Sequence, residues 1–167
     1  HNAGLCAPEP GAGSLDVREL SWGTDIRESF RRGHFDLILG ADLIYEESLH
    51  GALLATLLQL VDEQTEVLLA VTRRDKGAFN RWHSRAQLYF DVEVAASEEQ
   101  LASLAAQAGI AAAKKPVSLL RLRYVGPPPL EEDLAALLAG FDVVEQPEEL
   151  LLRLALRESD LHAIDTA

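Results

Sequence analysis

The chain has 167 residues, 48% of them hydrophobic and 25% charged, a composition typical of one ordinary globular domain. Its net charge of −12 argues against nucleic-acid binding and favours a basic protein partner, although a merely solvated acidic surface also explains it. The single cysteine excludes an internal disulfide, no apolar run is long enough to cross a bilayer, and we expect a cytoplasmic protein.

The first part of the chain alternates between strand-like and helix-like patterns. In chain order these patterns predict a loop over 1–14, a short strand over 14–20, a helical turn over 26–32, a strand over 34–40, a helix over 46–61, a strand over 65–72, a short helix over 75–88 and a strand over 89–95. The apolar run of 34–40 is continuous, so we expect this strand to be buried on both faces, with Phe35, Ile38 and Leu39 in the core. Alternation of strands and helices predicts a parallel sheet with crossover helices.

The remainder of the chain continues with a helix over 98–108 that Gly109 ends, and a strand over 117–125. A proline-rich break at 126–129 precedes a predicted helix over 130–139. The segments 141–146 and 150–158 are compatible with two strands, or with a strand and a helix. The last two strands of the sheet can therefore come from either of two pairs of segments.

Asp42 and Tyr45 stand where a strand gives way to a helix, next to the small residues Gly40 and Ala41. In open α/β sheets ligands bind at the carboxyl ends of strands, where small side chains allow close approach to the backbone. A carboxylate and a phenol ring three residues apart can hold an amine by charge and by a cation–π contact. Alternatively, Asp42 caps the following helix and Tyr45 packs on the sheet edge.

Three segments in order, LDVRELSWG, FDLILGADLIYEESL and VLLAVTRRD, resemble a known family. They are similar to the seven-β-strand methyltransferases of the methyltransferase-16 family, which are mostly protein-lysine methyltransferases that use S-adenosylmethionine (AdoMet). The family's acid-x-x-aromatic motif after its fourth strand is matched by Asp42 to Tyr45, and its tryptophan after the third strand by Trp22. Its arginine-bearing segment after the fifth strand is matched by 72–75, so the resemblance covers about 15–94.

The resemblance implies an α/β fold with a Rossmann-like, seven-strand methyltransferase sheet that is incomplete at its N-terminal side. The family's first two strands and its glycine-rich cofactor loop find no match, because the glycines at 11–13 do not follow a strand. We expect residues 1–125 to be the C-terminal part of a methyltransferase domain in a longer protein. Residues 126–167 would be a C-terminal extension with extra α/β elements, or the last helix and strands of the same domain.

The function that the resemblance implies is AdoMet-dependent methyl transfer to a protein side chain, above all the ε-amine of a lysine in a basic segment. It assigns Asp42 and Tyr45 to catalysis, the first to orient the amine and the second to stabilise positive charge on the nitrogen. Trp22, near the adenine, would bind the cofactor together with Gly40 and Ala41. Without the cofactor loop, we expect this chain alone to be inactive.

Two other functions remain open. The chain can be a non-catalytic interaction domain that has lost its cofactor loop, or another Rossmann-like enzyme that acts on a nucleotide or small molecule. Trp22 together with the Asp42 and Tyr45 pair argues against the second of these. The histidines are scattered without metal-ligand spacing, so we expect no metal site. Arg73 and Arg74 follow a strand end, where they can contact an acidic ligand or be solvated.

Overall fold

A computed structural model describes residues 13–111, 115, 117–126, 134–135 and 137 of the chain. Its four-stranded sheet consists of β1 (Leu37–Ala41), β2 (Glu66–Thr72), β3 (Phe90–Ala96) and β4 (Val117–Tyr124). The helices are α1 (His50–Leu60), which a 3-10 turn (Glu47–Leu49) precedes, α2 (Lys76–Ala86) and α3 (Glu98–Gln107). From residue 34 to residue 125 the predicted order of strands and helices is confirmed, with small shifts at their ends.

The sheet is mixed, with the strand order β1-β2-β4-β3. Strand β1 pairs parallel with β2, whereas β4 pairs antiparallel with both β2 and β3. Strands β1, β2 and β3 thus run in the same direction, as the alternation of strands and helices in the first part of the chain predicted. Strand β4, whose direction the sequence did not predict, runs opposite to them. Helix α3, which buries no residue, lies between β3 and β4 in the chain. Strand β4 starts beside the end of β3, where Ala96 pairs with Leu119, and runs in the opposite direction.

The hydrophobic core lies on one face of this sheet, beneath helices α1 and α2. Helix α1 is buried along almost its whole length, and Trp82 of α2 is fully buried in the same core cluster. The strands contribute alternate residues, as a sheet with one covered face requires. These strand residues are Val67, Leu69, Val71, Phe90, Leu120, Leu122 and Tyr124.

Strand β1 is exposed on its outer face, so the prediction that it is buried on both faces is wrong. Leu37 is 48% exposed and Leu39 is 70% exposed, whereas Ile38 and Gly40 turn towards the core and are half-buried. Within the described residues β1 pairs only with β2, and the core lies on one face of the sheet alone. Leu39 is therefore a surface residue and not a core residue, while Ile38 packs against the core.

The N-terminal part of the described chain contains no strand, which corrects the strand predicted over 14–20. All residues of this segment are exposed, among them Leu15 and Val17, and no strand of the described sheet pairs with them. The turn predicted over 26–32 is present as a single helical turn, in which the Phe30 N–H donates to the Ile26 carbonyl at 2.8 Å.

Much of the predicted C-terminal structure lies outside the described residues. Of the helix expected over 130–139, Leu134, Ala135 and Leu137 are described and are helical. The segments 141–146 and 150–158 lie beyond them, and the division of the chain at 125 stays a prediction. Among the helices that the structure does describe, none combines the length and apolar character of a bilayer span.

Leu69→Ala should lower the free energy of unfolding by about 2–5 kcal/mol, because Leu69 is 1% exposed and its loss leaves a cavity in the core. Leu39→Ala, on the neighbouring strand, is the matched control and should change it by only about 0.5 kcal/mol. Urea denaturation followed by tryptophan fluorescence measures both values. Equal losses for the two variants would contradict a sheet with one exposed face.

Candidate active site

The carboxyl ends of β1 and β2 lie at the same edge of the sheet because the two strands are parallel. Their register pairs Ala41 with Ala70. One residue further along, the Asp42 N–H donates to the Ala70 carbonyl at 2.8 Å, which ties the start of the motif to β2. Strand β2 ends at Thr72, and the residues that follow it therefore lie at the same edge of the sheet as Asp42.

Asp42 has a left-handed backbone conformation, with φ of 55°. Outside glycine this conformation is uncommon, and aspartate is one of the residues that tolerate it, because its short polar side chain bonds locally. Left-handed residues other than glycine cluster at active sites and ligand clamps when the surrounding structure holds them in place. Here the hydrogen bond to Ala70 holds the Asp42 backbone, and the side chain stands about half exposed.

The four motif residues divide between the core and the surface. Leu43 packs against the core and Ile44 is buried, whereas Asp42 is partly exposed and Tyr45 is 57% exposed. Asp42 does not cap the next helix, since the residues at the starts of the 3-10 turn and α1 are Glu46 and Leu49. The alternative in which Asp42 caps the helix is therefore wrong.

Glu47 anchors the segment that follows the motif. The Arg81 guanidinium on α2 donates to both Glu47 carboxylate oxygens, from Nε at 2.5 Å and from Nη2 at 2.7 Å. This pair holds the pKa of the Glu47 carboxyl below its ordinary value. Ile44, which lies in the core, and the ion pair of Glu47 with Arg81 of α2 thus fix the path of the chain on both sides of Tyr45.

Two arginines at the end of β2 point in different directions. Arg74 donates from Nη2 to the Oδ2 atom of Asp42. The Arg73 guanidinium lies over the Phe79 ring, 5.2 Å from its centroid, and Nη2 reaches the Ser118 hydroxyl at 3.5 Å. From the sequence alone, each of these arginines could either contact an acidic ligand or be solvated. The link between Arg74 and Asp42 could have been inferred only from the parallel pairing of the two strands that precede them.

The three residues expected to bind the cofactor have different surroundings. Trp22 is half-buried against the core, and the next residue, Gly23, donates its N–H to the Thr56 hydroxyl of α1 at 2.9 Å. Gly40 faces the core, and Ala41 is exposed on the outer side of β1. Gly40 and Ala41 therefore lie directly before Asp42 in the chain, whereas Trp22 lies beside α1.

Gly40 has a packing role of its own. A Cβ atom at this position would lie 2.7 Å from side-chain carbons of both Leu43 and Leu69. The absent side chain thus makes room for the leucines that pack in the core. Ala41, the next residue, is exposed at the edge of the sheet. Cofactor binding by Trp22, Gly40 and Ala41 stays a prediction.

Two cavities of the described structure lie away from this edge, near the amino end of β1. One, of about 580 Å³, is lined by Arg32, Asp36, Asp62 and Tyr124 among others. The other, of about 670 Å³, has Arg18 and Phe30 in its lining, and Phe35 lines both. Neither includes Asp42, Tyr45 or Trp22. In the described part of the chain, no three histidine, cysteine or acidic side chains are grouped as metal ligands.

Comparison with known proteins finds similarity to lysine methyltransferases. Residues 9–90, just under half of the chain, match the family model described as "Lysine methyltransferase". The chain is 52% identical over 54 residues to protein N-lysine methyltransferase METTL21A of Mus musculus, covering 32% of this chain and 24% of that protein. It is 33% identical over 93 residues to EEF1A lysine methyltransferase 3 of Mus musculus, covering 55% of this chain and 39% of that protein.

A third relative is protein N-lysine methyltransferase METTL21A of Danio rerio, 44% identical over 57 residues, which cover 34% of this chain and 26% of that protein. The chain thus spans only about a quarter to two fifths of the length of these relatives. The family match and the relatives confirm the resemblance to the methyltransferase-16 family.

Gly40→Ala should lower the free energy of unfolding by about 1–3 kcal/mol, because the new methyl group overlaps Leu43 and Leu69 in the core. Ala41→Val, on the exposed side of the same strand, is the control and should change it by about 0.5 kcal/mol at most. Urea denaturation measures both variants. If Gly40→Ala were as stable as the unmodified chain, the packing explanation of Gly40 would be wrong.

Proposed function

We propose that this chain is part of an enzyme that methylates the ε-amine of a lysine in a protein, with AdoMet as the methyl donor. The observation that carries the proposal is the placement of the partly exposed Asp42 and the exposed Tyr45 after the carboxyl end of β1, within the segment that matches the lysine methyltransferase model. The relatives named as protein N-lysine methyltransferases support the same reaction.

The chemistry requires a neutral, correctly placed amine. A lysine ammonium has no lone pair, so it must lose a proton before its nitrogen can form a bond to carbon. Asp42 accepts a hydrogen bond from the amine and orients it, and positioning of this kind accounts for a large part of many enzymatic rates. Tyr45 offers a ring face to the positive charge that develops on nitrogen. AdoMet, when bound, supplies the methyl group.

The four strands fit the proposed enzyme as strands four to seven of a Rossmann-like methyltransferase sheet. Strand β1 carries the acid-x-x-aromatic motif at its end, and β2 carries the arginine-bearing segment. On this proposal, a segment that supplies the remaining cofactor contacts belongs to the active protein, and the 167-residue chain alone is inactive.

The substrate on this proposal is a basic, lysine-bearing protein segment. The net charge of −12 favours such a partner over nucleic acid. Glu46, next to Tyr45, is exposed and adds negative charge beside the motif. A cytoplasmic location agrees with the cysteine-poor sequence and stays a prediction.

Asp42→Asn in the full-length protein should reduce methyl transfer to a lysine-bearing protein about a hundredfold or more, because the amine loses the carboxylate that orients it. Asparagine also tolerates the left-handed backbone, so the fold should remain intact and AdoMet binding nearly unchanged. Transfer of a labelled methyl group measures the activity, and calorimetry measures cofactor binding.

Asp36→Asn is the control for this experiment, because Asp36 is an exposed aspartate that precedes β1 at its other end. It should leave methyl transfer unchanged. Near-normal turnover by Asp42→Asn would contradict the catalytic role of the motif. An unmodified full-length protein that transfers no methyl group to any basic protein segment would contradict the proposed function itself.

A further inference from the structure

Arg74 shares the edge of the sheet with the motif and bonds to its acidic residue. We propose that Arg74 is a positioning residue, which holds one oxygen of the Asp42 carboxylate and leaves the other oxygen for the substrate amine. This inference rests on the proposed function, since it requires a lysine amine at Asp42. It adds to that function a residue that controls the protonation state of the substrate.

The backbone brings these two residues together, although 32 positions separate them in the sequence. Asp42 is tied to β2 by its hydrogen bond to Ala70, and the Arg74 N–H donates to the Thr72 carbonyl at 2.9 Å. Both bonds end on β2, so the parallel register fixes the two residues relative to each other. Arg73 lies over Phe79 and does not share this role.

The Asp42 carboxylate can serve two donors at once. Arg74 occupies Oδ2, and the structure records no hydrogen bond to Oδ1 among the residues that it describes. An ionised carboxylate has acceptor sites on both oxygens, so an amine at Oδ1 need not displace Arg74. Arg74 also restricts the rotation of the carboxylate, which otherwise stands about half exposed at the surface.

The charge of Arg74 has a chemical consequence for the substrate. An unpaired carboxylate favours the ammonium form of a nearby amine and raises its pKa, whereas a carboxylate already paired with a guanidinium does so much less. The lysine nitrogen reacts only after one N–H bond breaks, with the electron pair remaining on nitrogen and the proton passing to water. Arg74 thus lets Asp42 orient the amine without holding it in the unreactive charged form.

Other charged groups on these segments are engaged elsewhere or point outwards. Glu47 pairs with Arg81, and Asp75 caps α2 by accepting the Ala78 N–H at 3.0 Å. The remaining ionisable side chains on the segments that follow β1 and β2 are Tyr45, Glu46, Arg73 and Lys76. Among the described residues, Arg74 alone forms an ion pair with Asp42.

Arg74→Gln in the full-length protein tests the proposal, because it removes the charge and keeps a polar side chain. The pH at which kcat reaches half its maximum should rise by about one unit, since Asp42 is then unpaired beside the amine. Turnover should fall about tenfold at neutral pH and recover at alkaline pH. Fluorescence anisotropy should show a lysine-bearing peptide binding about tenfold more tightly at pH 7, because its ammonium meets an unpaired carboxylate.

Two further variants serve as controls. Arg74→Lys keeps the charge and should keep the pH profile of the unmodified enzyme. Arg27→Gln breaks the ion pair of Arg27 with Asp25, which is about as exposed as that of Arg74 with Asp42 and is distant from the motif in the chain. It should change neither the pH profile nor the peptide affinity.

Two results would overturn the role of Arg74. One is an Arg74→Gln enzyme whose pH profile matches that of the unmodified enzyme. The other is an equal loss of activity at every pH, which is the result expected of a merely structural residue. Absence of methyl transfer by the unmodified protein would instead overturn the proposed function. Even in that case, an Arg74→Gln variant that binds the lysine-bearing peptide as the unmodified protein does would reject the proposed role of Arg74 at Asp42.

Discussion

The parallel pairing of β1 with β2 is the constraint on which the candidate site depends. It runs in register from Leu37 with Glu66 to Ala41 with Ala70, and so brings the two carboxyl ends to one edge. A shift of one residue would turn every side chain of β1 to the other face of the sheet. Asp42 would then lose its place beside Ala70, and its ion pair with Arg74 would be lost with it.

The two faces of the sheet have different functions in the molecule. One face carries the core beneath α1 and α2 and supplies the stability of the described structure. The other is apolar on β1 and charged towards β3, where Arg121 of β4 pairs with Glu66 at 2.6 Å and with Glu93 at 2.7 Å. The candidate site lies at the carboxyl ends of β1 and β2, where the core face of the sheet meets the surface. One motif can therefore contain both the buried Ile44 and the exposed Tyr45.

Sequence patterns predicted those features that depend on local periodicity. The leucines of α1 and the apolar runs of β2 and β4 determine a helix and two strands without further information. The exposure of Leu39 was missed, because an apolar run does not reveal whether another element covers it. The direction of β4 was not predicted, because periodicity carries no direction. The segment 14–20 has a strand-like alternation but no pairing strand in the described sheet. The motif Asp42 to Tyr45 was recognisable, whereas its partner Arg74 depends on the register between two strands.

The central claim is that the Asp42 carboxylate contacts the amine that receives the methyl group. The most direct test is a crystal structure of the full-length protein with a lysine-bearing peptide and the demethylated cofactor. We expect the lysine nitrogen to lie about 3 Å from an Asp42 carboxylate oxygen, within hydrogen-bond distance, while Arg74 remains bound to the other oxygen. A lysine nitrogen that is bound in the active site beyond about 4 Å from this carboxylate, too far for a hydrogen bond, would contradict the account.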